Sequence, residues 1–394
     1  MKTKLSFSIF TFFAICILLS GCSQNRSGLK ASDHNLTKIS IEYQDPTPLN
    51  KFIENTKLVR LGETDPLIGN IDNLIVTKDK IVVTDAKNST IFIFDTTGKN
   101  TAVINRQGRG PIEYLGLDYA ALTPDGEKIA LHDNLGKKVL IFDLDGNFIE
   151  KKNVDFWFSS FEYIDDNHIL CITYGAQNDL GLVKNGDSKN LAYITDSDFK
   201  IENGFLPNIY TDKQYMHVTP HMKKFDSTLY VNPNFCDTLY RISGNTLEAL
   251  YHVDMSKVDG VANFEADMTN EKIASALANK TTFPGIFTAN DNFLLMKIST
   301  PESNRPMLWS KKSGKIYTLT DDPRINAQGE CGIFDFHMTT CAFSHADRFI
   351  AAVPAYILNM GTYTEQVLKE YPEMVGLSDE SNPMLIFYKL REPI

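Results

Sequence analysis

Four side chains that could bind a small ligand lie on one short segment of the chain. The segment reads Arg106-Gln107-Gly108-Arg109-Gly110-Pro111-Ile112-Glu113-Tyr114. A guanidinium group donates a planar fork of hydrogen bonds that fits a carboxylate, and glycines let the backbone approach a ligand closely. We therefore expect Arg106, Arg109, Glu113 and Tyr114 to be ligand-binding residues for a carboxylate or a sugar acid.

The same segment also has a purely structural interpretation. It lacks the G-x-x-x-x-G-K-[ST] pattern of a phosphate-binding loop and follows a β-type stretch without opening a helix. In this interpretation it only connects two sheets, its glycines permit positive φ, and Glu113 and Tyr114 pack the connection. The sequence leaves both interpretations open and favours the structural one.

Histidines elsewhere give weaker signals. His217 and His221 have metal-ligand spacing only on a helix, which Val218-Thr219-Pro220 does not favour, so we expect loop histidines and no metal site. His132 stands at the end of a β-type stretch, where we expect a hydrogen-bonded histidine. The patterns G-x-S-x-G, H-E-x-x-H and the EF-hand loop do not occur. Catalytic residues and cofactors therefore stay unknown from the sequence.

The elements that would position these residues repeat along the chain. Asp85 to Gly98 reads D-A-K-N-S-T-I-F-I-F-D-T-T-G, and Asp133 to Gly146 reads D-N-L-G-K-K-V-L-I-F-D-L-D-G. A period of about 48 residues with β-type segments is typical of a propeller blade of four antiparallel strands. Because Asp85 and Asp133 are equivalent in this repeat, we expect them to cap turns rather than to catalyse a reaction.

The length and the period together predict an all-β fold, a six-bladed β-propeller. The stretch from Lys57 to Leu61 resembles the outer strand of a blade, and we expect it to close the ring by pairing with the stretch from Leu385 to Tyr388. Few helix-breaking residues and a helical spacing of apolar residues predict a small helical insertion near 263–279. A second short helix is expected from Thr364 to Tyr371.

The N-terminus carries an export signal. Two lysines precede an apolar run from Leu5 to Leu19, which is too short to span a bilayer comfortably. The series Leu19-Ser20-Gly21-Cys22 resembles the lipobox of bacterial lipoproteins, in which the signal is cut before the cysteine and the thiol is lipidated. We expect a signal peptide at 1–21, a lipidated Cys22 with a flexible tether at 22–37, and the propeller at 38–394. An ordinary secretory signal with an incidental cysteine is the alternative.

The net charge of the chain excludes one class of partner. Removal of residues 1–21 takes away two lysines and changes the formal net charge from −10 to −12. Such an acidic chain is not expected to bind nucleic acid.

After removal of the signal and lipidation of Cys22, four cysteines keep their thiols: Cys171, Cys236, Cys331 and Cys341. The spacing of Cys331 and Cys341 allows a disulfide between adjacent strands, and two buried free thiols are the alternative.

Several of these features together resemble one family, the six-bladed β-propeller lipoproteins of gut Gram-negative anaerobes, with a TolB/NHL-like propeller. The lipobox, the repeat with its spaced aspartates and the segment 106–114 carry the resemblance. That family usually has G-x-G-P-G-E-Y/F in this segment, and this chain has Ile112 in place of the last glycine. The stretch Asn232 to Tyr240 resembles the D-T-(I/L)-Y strand of a later blade. The resemblance covers most of residues 55–390 and implies the fold more than the function.

Two functions of different classes fit this sequence. The favoured one is a binding or protein-interaction module in the cell envelope, anchored to the outer membrane by lipid at its periplasmic face or at the surface. Its partner would be an envelope protein, a glycan or a small acidic ligand. The alternative is a propeller hydrolase or lyase with an active site in the central channel, with or without a metal ion.

Overall fold

The protein forms six β-sheets arranged as the blades of a ring, as seen in a computed structural model. The structure describes residues 36–173, 190–207, 222–225, 228–232, 236–244, 246–262, 270–320, 322, 324 and 332–393. Each sheet contains a four-stranded antiparallel blade. The expected all-β fold, a six-bladed β-propeller, is confirmed.

Blades 1 to 3 are each built from consecutive strands. Two strands precede them: β1 (Thr37–Ser40) and β2 (Ile53–Arg60). Blade 1 contains β3 (Asn73–Val76), β4 (Lys80–Asp85), β5 (Thr90–Asp95) and β6 (Asn100–Ile104). Blade 2 contains β7 (Tyr119–Leu122), β8 (Lys128–Asp133), β9 (Lys138–Asp143) and β10 (Phe148–Asn153). Blade 3 contains β11 (Ser160–Tyr163), β12 (His168–Ile172), β13 (Asn190–Asp196) and β14 (Ile201–Pro207).

Blades 4 to 6 complete the ring. Blade 4 contains β15 (Met222–Phe225), β16 (Thr228–Val231), β17 (Thr238–Ser243) and β18 (Thr246–Asp254). Blade 5 contains β19 (Phe287–Ala289), β20 (Phe293–Ser299), β21 (Asn304–Ser310) and β22 (Ile316–Thr318). Blade 6 contains β23 (Phe343–His345), β24 (Arg348–Val353), β25 (Met384–Leu390) and the early strand β2.

Short helices lie in the connections between strands. They are α1 (Asn270–Leu277), α2 (Ala355–Asn359) and α3 (Glu365–Glu370), with 3-10 turns at Leu49–Lys51, Asp335–Thr340 and Pro372–Met374. The expected insertion near 263–279 is confirmed by α1 within its described part, and the expected helix from Thr364 to Tyr371 is confirmed by α3. No helix among the described residues has the length and apolar content needed to cross a bilayer.

The ring is closed by strands from the two ends of the propeller, as the sequence predicted. Strand β2 pairs antiparallel with β25, with Lys57 opposite Phe387 and Arg60 opposite Met384. Strand β25 pairs on its other side with β24. Blade 6 therefore combines strands distant in sequence, which removes the open edges of an unclosed sheet array.

The segment before the propeller adds a strand that the sequence pattern did not predict. Strand β1 pairs parallel with β18, the outer strand of blade 4, with Thr37 opposite Tyr251 and Ser40 opposite Asp254. Ile39 and Ile41 are buried there. Blade 4 therefore has a fifth strand, which covers its outer edge.

The core lies between neighbouring blades, which explains the apolar sequence of the middle strands. In β5, Phe92 and Phe94 pack with Leu385 of blade 6, whereas Ile91 and Ile93 pack with Leu140 of blade 2 and its neighbours. Successive side chains of a strand point to opposite faces of its sheet. The central positions of β5 are therefore apolar on both faces, because each face packs against a different blade.

The two ends of the ring differ. The strands of a blade alternate in direction, so its connections alternate between the two ends of the ring. One end carries the connection between the second and third strands and the connection to the next blade. We call this end the loop end. The opposite end, which we call the turn end, has only short turns among the described residues, such as 77–79, 96–99 and 144–147. The loop end carries longer connections, including 105–118 and 354–383 with α2 and α3.

Candidate functional site

The segment 106–114 is a loop-end connection from blade 1 to blade 2, and Tyr114 anchors it. The Tyr114 side chain is fully buried. Its hydroxyl accepts a hydrogen bond from Arg106 N at 3.0 Å and lies 2.7 Å from the Ser89 carbonyl oxygen and 3.1 Å from that of Ile104. Burial raises the pKa of this hydroxyl. Tyr114 thus holds the connection on blade 1.

Glu113 folds back over the glycines of the same connection. Its carboxylate accepts a hydrogen bond from Gly110 N at 2.7 Å. A Cβ atom at Gly108 would lie 2.0 Å from Glu113 Oε2. Gly108 thus leaves room for the carboxylate in this position, and its backbone is not left-handed.

The two arginines of the segment have different surroundings. Arg106 donates from Nη2 to the carbonyl oxygen of Gly146 at 3.1 Å, and its guanidinium lies 5.5 Å from the centre of the Phe142 ring. It therefore binds blade 1 to blade 2. Arg109 is exposed and has no hydrogen bond or ion pair with the described residues. Of Arg106, Arg109, Glu113 and Tyr114, the structure leaves Arg109 as the side chain most accessible to a ligand.

The repeated aspartates cap the loop end, as the sequence predicted. Asp85 Oδ2 accepts from Gly69 N at 2.7 Å, and its other oxygen accepts from Asn88 N. Asp133 makes the equivalent hydrogen bonds with Leu115 N at 2.9 Å and Gly136 N at 2.8 Å. Each carboxylate thus joins the connection entering its blade to the turn between the blade's second and third strands.

Three large apolar side chains are exposed on neighbouring connections of the loop end. Leu135 is 70% exposed, Trp157 46% and Leu115 42%. Their connections are tied together, because Asp133 binds Leu115 N and Asn134 Nδ2 donates to the Phe158 carbonyl oxygen at 2.7 Å. We call Leu115, Leu135 and Trp157 the loop-end patch.

Further exposed apolar side chains are found on other connections of the loop end. They are Leu67, Ile112, Ile333, Phe336, Tyr356, Ile357, Met360 and Val375. Water-exposed groups of this size are common singly, but a concentration at one end of a protein is typical of an interaction surface. The sequence signal for them is weak, because nothing local separates an exposed apolar residue from a core residue.

A second group of polar side chains lies on the first strands of blades 2, 3 and 4, which are nearest the axis of the ring, and we call Tyr119, Glu162 and Lys224 the channel group. Tyr119 on β7 donates from its hydroxyl to Glu162 Oε1 on β11 at 3.3 Å. Lys224 Nζ on β15 lies 3.5 Å from Glu162 Oε2 and donates to the Tyr163 carbonyl oxygen at 3.2 Å. Burial raises the pKa of Glu162, while Lys224 and Tyr119 oppose that rise. These contacts join blades 2, 3 and 4.

Two residues on the same inner strands, Lys223 and Ser160, have no side-chain hydrogen-bond partner among the described residues. Lys223 Nζ donates to the Phe287 carbonyl oxygen at 2.9 Å and lies 5.8 Å from the centre of that ring. Within the described residues it has no carboxylate partner, and burial together with Lys297 lowers its pKa to about 8. The hydroxyl of Ser160 is buried without a hydrogen-bond partner. Charged residues inside short inner strands are the sequence signal that points to this channel group.

His132 corrects one expectation from the sequence. Its ring is fully buried and stacks on Phe158 with centroids 3.8 Å apart, and neither ring nitrogen has a hydrogen-bond partner. The prediction of a hydrogen-bonded histidine was therefore wrong. The alternation of β8 turns the ring into the aromatic core between blades 2 and 3, which presents no donor or acceptor to it.

The remaining sequence candidates are only partly covered by the structure. His217, His221 and Cys331 lie outside the described residues. Cys171 and Cys341 are buried free thiols, and Cys236 is also buried. The sequence allowed Cys341 either a disulfide with Cys331 or a buried free thiol, and the structure shows the free thiol. Within the described part of the chain, no group of three or more His, Cys, Asp or Glu side chains could hold a metal ion.

Comparison with protein families matches residues 35–389 to the family described as "Domain of unknown function (DUF4934)". The chain belongs to this family. The match covers the described propeller almost completely, and it includes both the loop-end patch and the channel group. Comparison with curated proteins found no match.

Solved structures share the fold at low sequence identity. A crystal structure of a candidate exported protein from Bacteroides fragilis is similar with a TM-score of 0.71 and 16% identity, over 90% of this chain and 100% of that one. A crystal structure of a member of the duf4221 family from Bacteroides vulgatus gives a TM-score of 0.54 and 12% identity, over 86% and 97%. At these identities the similarity establishes a shared fold and does not transfer an activity.

Proposed function

We propose that this protein is a lipid-anchored module of the cell envelope that binds a partner protein at the loop end of its propeller. The observation that carries the proposal is the loop-end patch. Leu115, Leu135 and Trp157 project from three connections that hydrogen bonds hold together, so their arrangement is fixed before a partner arrives. Tryptophan is enriched among the residues that dominate binding energy, and exposed leucines beside it add the apolar surface that is typical of an interaction site.

The loop end also has the polar group that such a surface needs at its rim. Arg109 is exposed on the same connection as Leu115. Arginine is enriched in interfaces because its planar fork binds carboxylates and main-chain oxygens. We therefore assign Arg109 to the binding surface, with Arg106, Glu113 and Tyr114 supporting the connection that presents it.

The envelope location rests on the N-terminal sequence. The apolar run from Leu5 to Leu19 and the following Cys22 have the pattern of a lipoprotein signal. The description of the Bacteroides fragilis relative as exported supports the same compartment. Attachment at the outer membrane is part of this proposal.

Photo-crosslinking in cells tests the binding function. The full chain would carry benzoylphenylalanine either at Leu135, on the loop end of blade 2, or at Asp145, on the turn end of the same blade. We expect a protein adduct from position 135 and none from position 145. Adding Trp157→Asp or Arg109→Ala to the position 135 variant should lower the yield of the adduct.

The matched positions make the result decisive. Both lie in turns of one blade, so expression and export should be the same for the two variants. Equal adducts from both positions, an adduct from position 145 alone, or none from either would overturn the proposal.

A further inference from the structure

We propose that the loop end of blade 6 binds a positively charged, amphipathic segment of a partner protein. The segment would lie on four exposed apolar side chains, Tyr356, Ile357, Met360 and Val375, which we call the blade-6 surface. This inference rests on the proposed function, that the loop end binds a protein. It adds a second surface to the loop-end patch and states the chemistry of what binds there.

The blade-6 surface is the outward side of a connection whose inward side is packed. In α2, Leu358 is buried in the core of blade 6, whereas Tyr356 is 50% exposed and Ile357 38%. Met360, directly after α2, is 79% exposed, and Val375 is 57% exposed. Tyrosine and methionine are enriched in protein interfaces, and several exposed apolar side chains on one connection are typical of an interaction site.

Hydrogen bonds hold the two halves of this surface in place. Asn359 Nδ2, at the end of α2, donates to Asp379 Oδ1 at 2.9 Å. Arg60, at the end of β2, donates from Nη1 to the Val375 carbonyl oxygen at 2.9 Å and from Nη2 to that of Gly376 at 3.2 Å. The surface is therefore arranged before a partner binds, which lowers the entropic cost of binding.

The connection from blade 6 to blade 1 is tied to the same surface. Asn382 Nδ2 donates to the Gly62 carbonyl oxygen at 2.6 Å, and Asn382 Oδ1 accepts from Ile68 N at 2.9 Å. Residues 61–72 therefore lie beside residues 354–383, and the charges of both connections surround the blade-6 surface.

These charges are almost all negative. Residues 60–72 and 354–383 carry two basic side chains, Arg60 and Lys369, and Arg60 is bound to backbone carbonyl oxygens. They carry eight acidic side chains, none of which forms an ion pair within the described part of the chain. The eight are Glu63, Asp65, Asp72, Glu365, Glu370, Glu373, Asp379 and Glu380. The blade-6 surface therefore has a negative rim.

The negative rim decides among the candidate occupants. In a two-fold contact, a second copy of this chain would bring the same eight carboxylates to the interface, and like charges facing each other are unfavourable. An anionic lipid surface would be repelled for the same reason. A segment with apolar residues on one side and lysine or arginine at its edges matches both the apolar surface and its rim.

Photo-crosslinking with sequencing of the adduct tests this inference. The full chain would carry benzoylphenylalanine at Met360 in cells, and the captured segment would be identified by mass spectrometry after digestion with a protease that does not cut at lysine or arginine. We expect a segment of another protein with a net positive charge and several apolar residues. A neutral or acidic segment, a second copy of this chain, a lipid adduct, or no adduct would overturn the inference.

Charge variants test the role of the rim in the same assay. Glu370→Gln together with Glu380→Gln removes two exposed negative charges and keeps the size of both side chains. This double variant should lower the yield of the adduct from position 360 about two-fold or more. Glu127→Gln, on an exposed turn at the turn end of blade 2, is the matched control and should leave the yield unchanged. A yield that ignores the double variant would overturn the inference.

Crosslinking from Leu135 and from Met360 separates the two proposals. An adduct from Leu135 with none from Met360 would overturn the inference about the blade-6 surface alone. An adduct of the expected chemistry from Met360 with none from Leu135 would support this inference and overturn the assignment of the loop-end patch.

Discussion

At the scale of single residues, His132 is the most unusual group in the described chain. Its imidazole is enclosed by aromatic rings of blade 3, with Phe158 stacked on it and Phe161 against its edge. Burial lowers its pKa to about 3. A protonated imidazole in this position would be a buried charge without a partner, so the ring stays neutral in the folded protein.

The buried imidazole predicts a specific loss of stability in acid. An unfolded histidine has a pKa of about 6.5. Between that value and about 3, the unfolded chain binds a proton that the folded protein does not, so the free energy of unfolding falls as the pH falls. The loss approaches about 1.4 kcal/mol per pH unit in this window. His132→Phe keeps the stacking and should remove this loss.

Urea unfolding of both proteins at pH 7, 5 and 4 measures the effect. Carboxylates also titrate in acid, but they are the same in the two proteins and cancel in the difference. We expect His132→Phe to gain stability relative to the wild type as the pH falls. A difference between the two proteins that is the same at all three pH values would contradict the assignment.

At the scale of elements, the turns between the third and fourth strands of blades 1 to 3 follow one pattern. Asp95, Asp143 and Asp196 each accept backbone N–H groups two and four residues ahead. The residue three positions after the aspartate has positive φ in all of them: Gly98 at 91°, Gly146 at 85° and Phe199 at 61°. A side chain is therefore tolerated in this turn where space allows.

Gly98 and Gly146 differ in what surrounds them, although the repeat makes them equivalent. A Cβ atom at Gly98 would lie 2.0 Å from the carbonyl oxygen of Arg60, at the end of the closing strand β2. At Gly146 the nearest atom would be 3.6 Å away. We expect Gly146→Ala to cost about 1–2 kcal/mol for its backbone conformation. Gly98→Ala should cost at least about 2 kcal/mol more, because backbone must move.

Chemical denaturation of the two glycine variants checks this prediction, and each serves as the control for the other. Both carry the same substitution in the same turn type, so the difference reports the contact between blade 1 and β2. Equal losses of stability would show that this contact does not constrain ring closure.

At the scale of the whole molecule, the propeller is expected to fold independently of the proposed N-terminal lipid anchor. The described fold begins at β1, and the closing strand β2 starts at Ile53, well after Cys22. Among the described residues, the strands that close the ring are β2 and β25. We therefore expect Cys22→Ser to abolish lipid labelling and move the protein out of the detergent-extracted membrane fraction, without lowering its melting temperature. Mature wild-type protein with an unmodified Cys22 by mass spectrometry would reject the anchor.

The sequence by itself determined the repeat and most of the architecture. Short strands separated by turn residues, with aspartates and glycines at a fixed period, encode each blade locally, so the repeated segments from Asp85 to Gly98 and from Asp133 to Gly146 could be assigned to propeller blades. The pairing of β2 with β25 was also predictable, because a ring with one unpaired strand at each end has a simple way to close. The capping roles of Asp85 and Asp133 followed from their equivalence in the repeat.

Only the tertiary structure decided which residues from different blades meet. Glu162 contacts Tyr119 and Lys224 because the inner strands of three blades converge on one axis, and no local pattern contains that arrangement. The same holds for His132 against Phe158 and for β1 on β18. Turn chemistry and strand alternation act over a few residues and are readable in the sequence. The environments of these side chains depend on how whole blades pack, which is fixed only when the ring has closed.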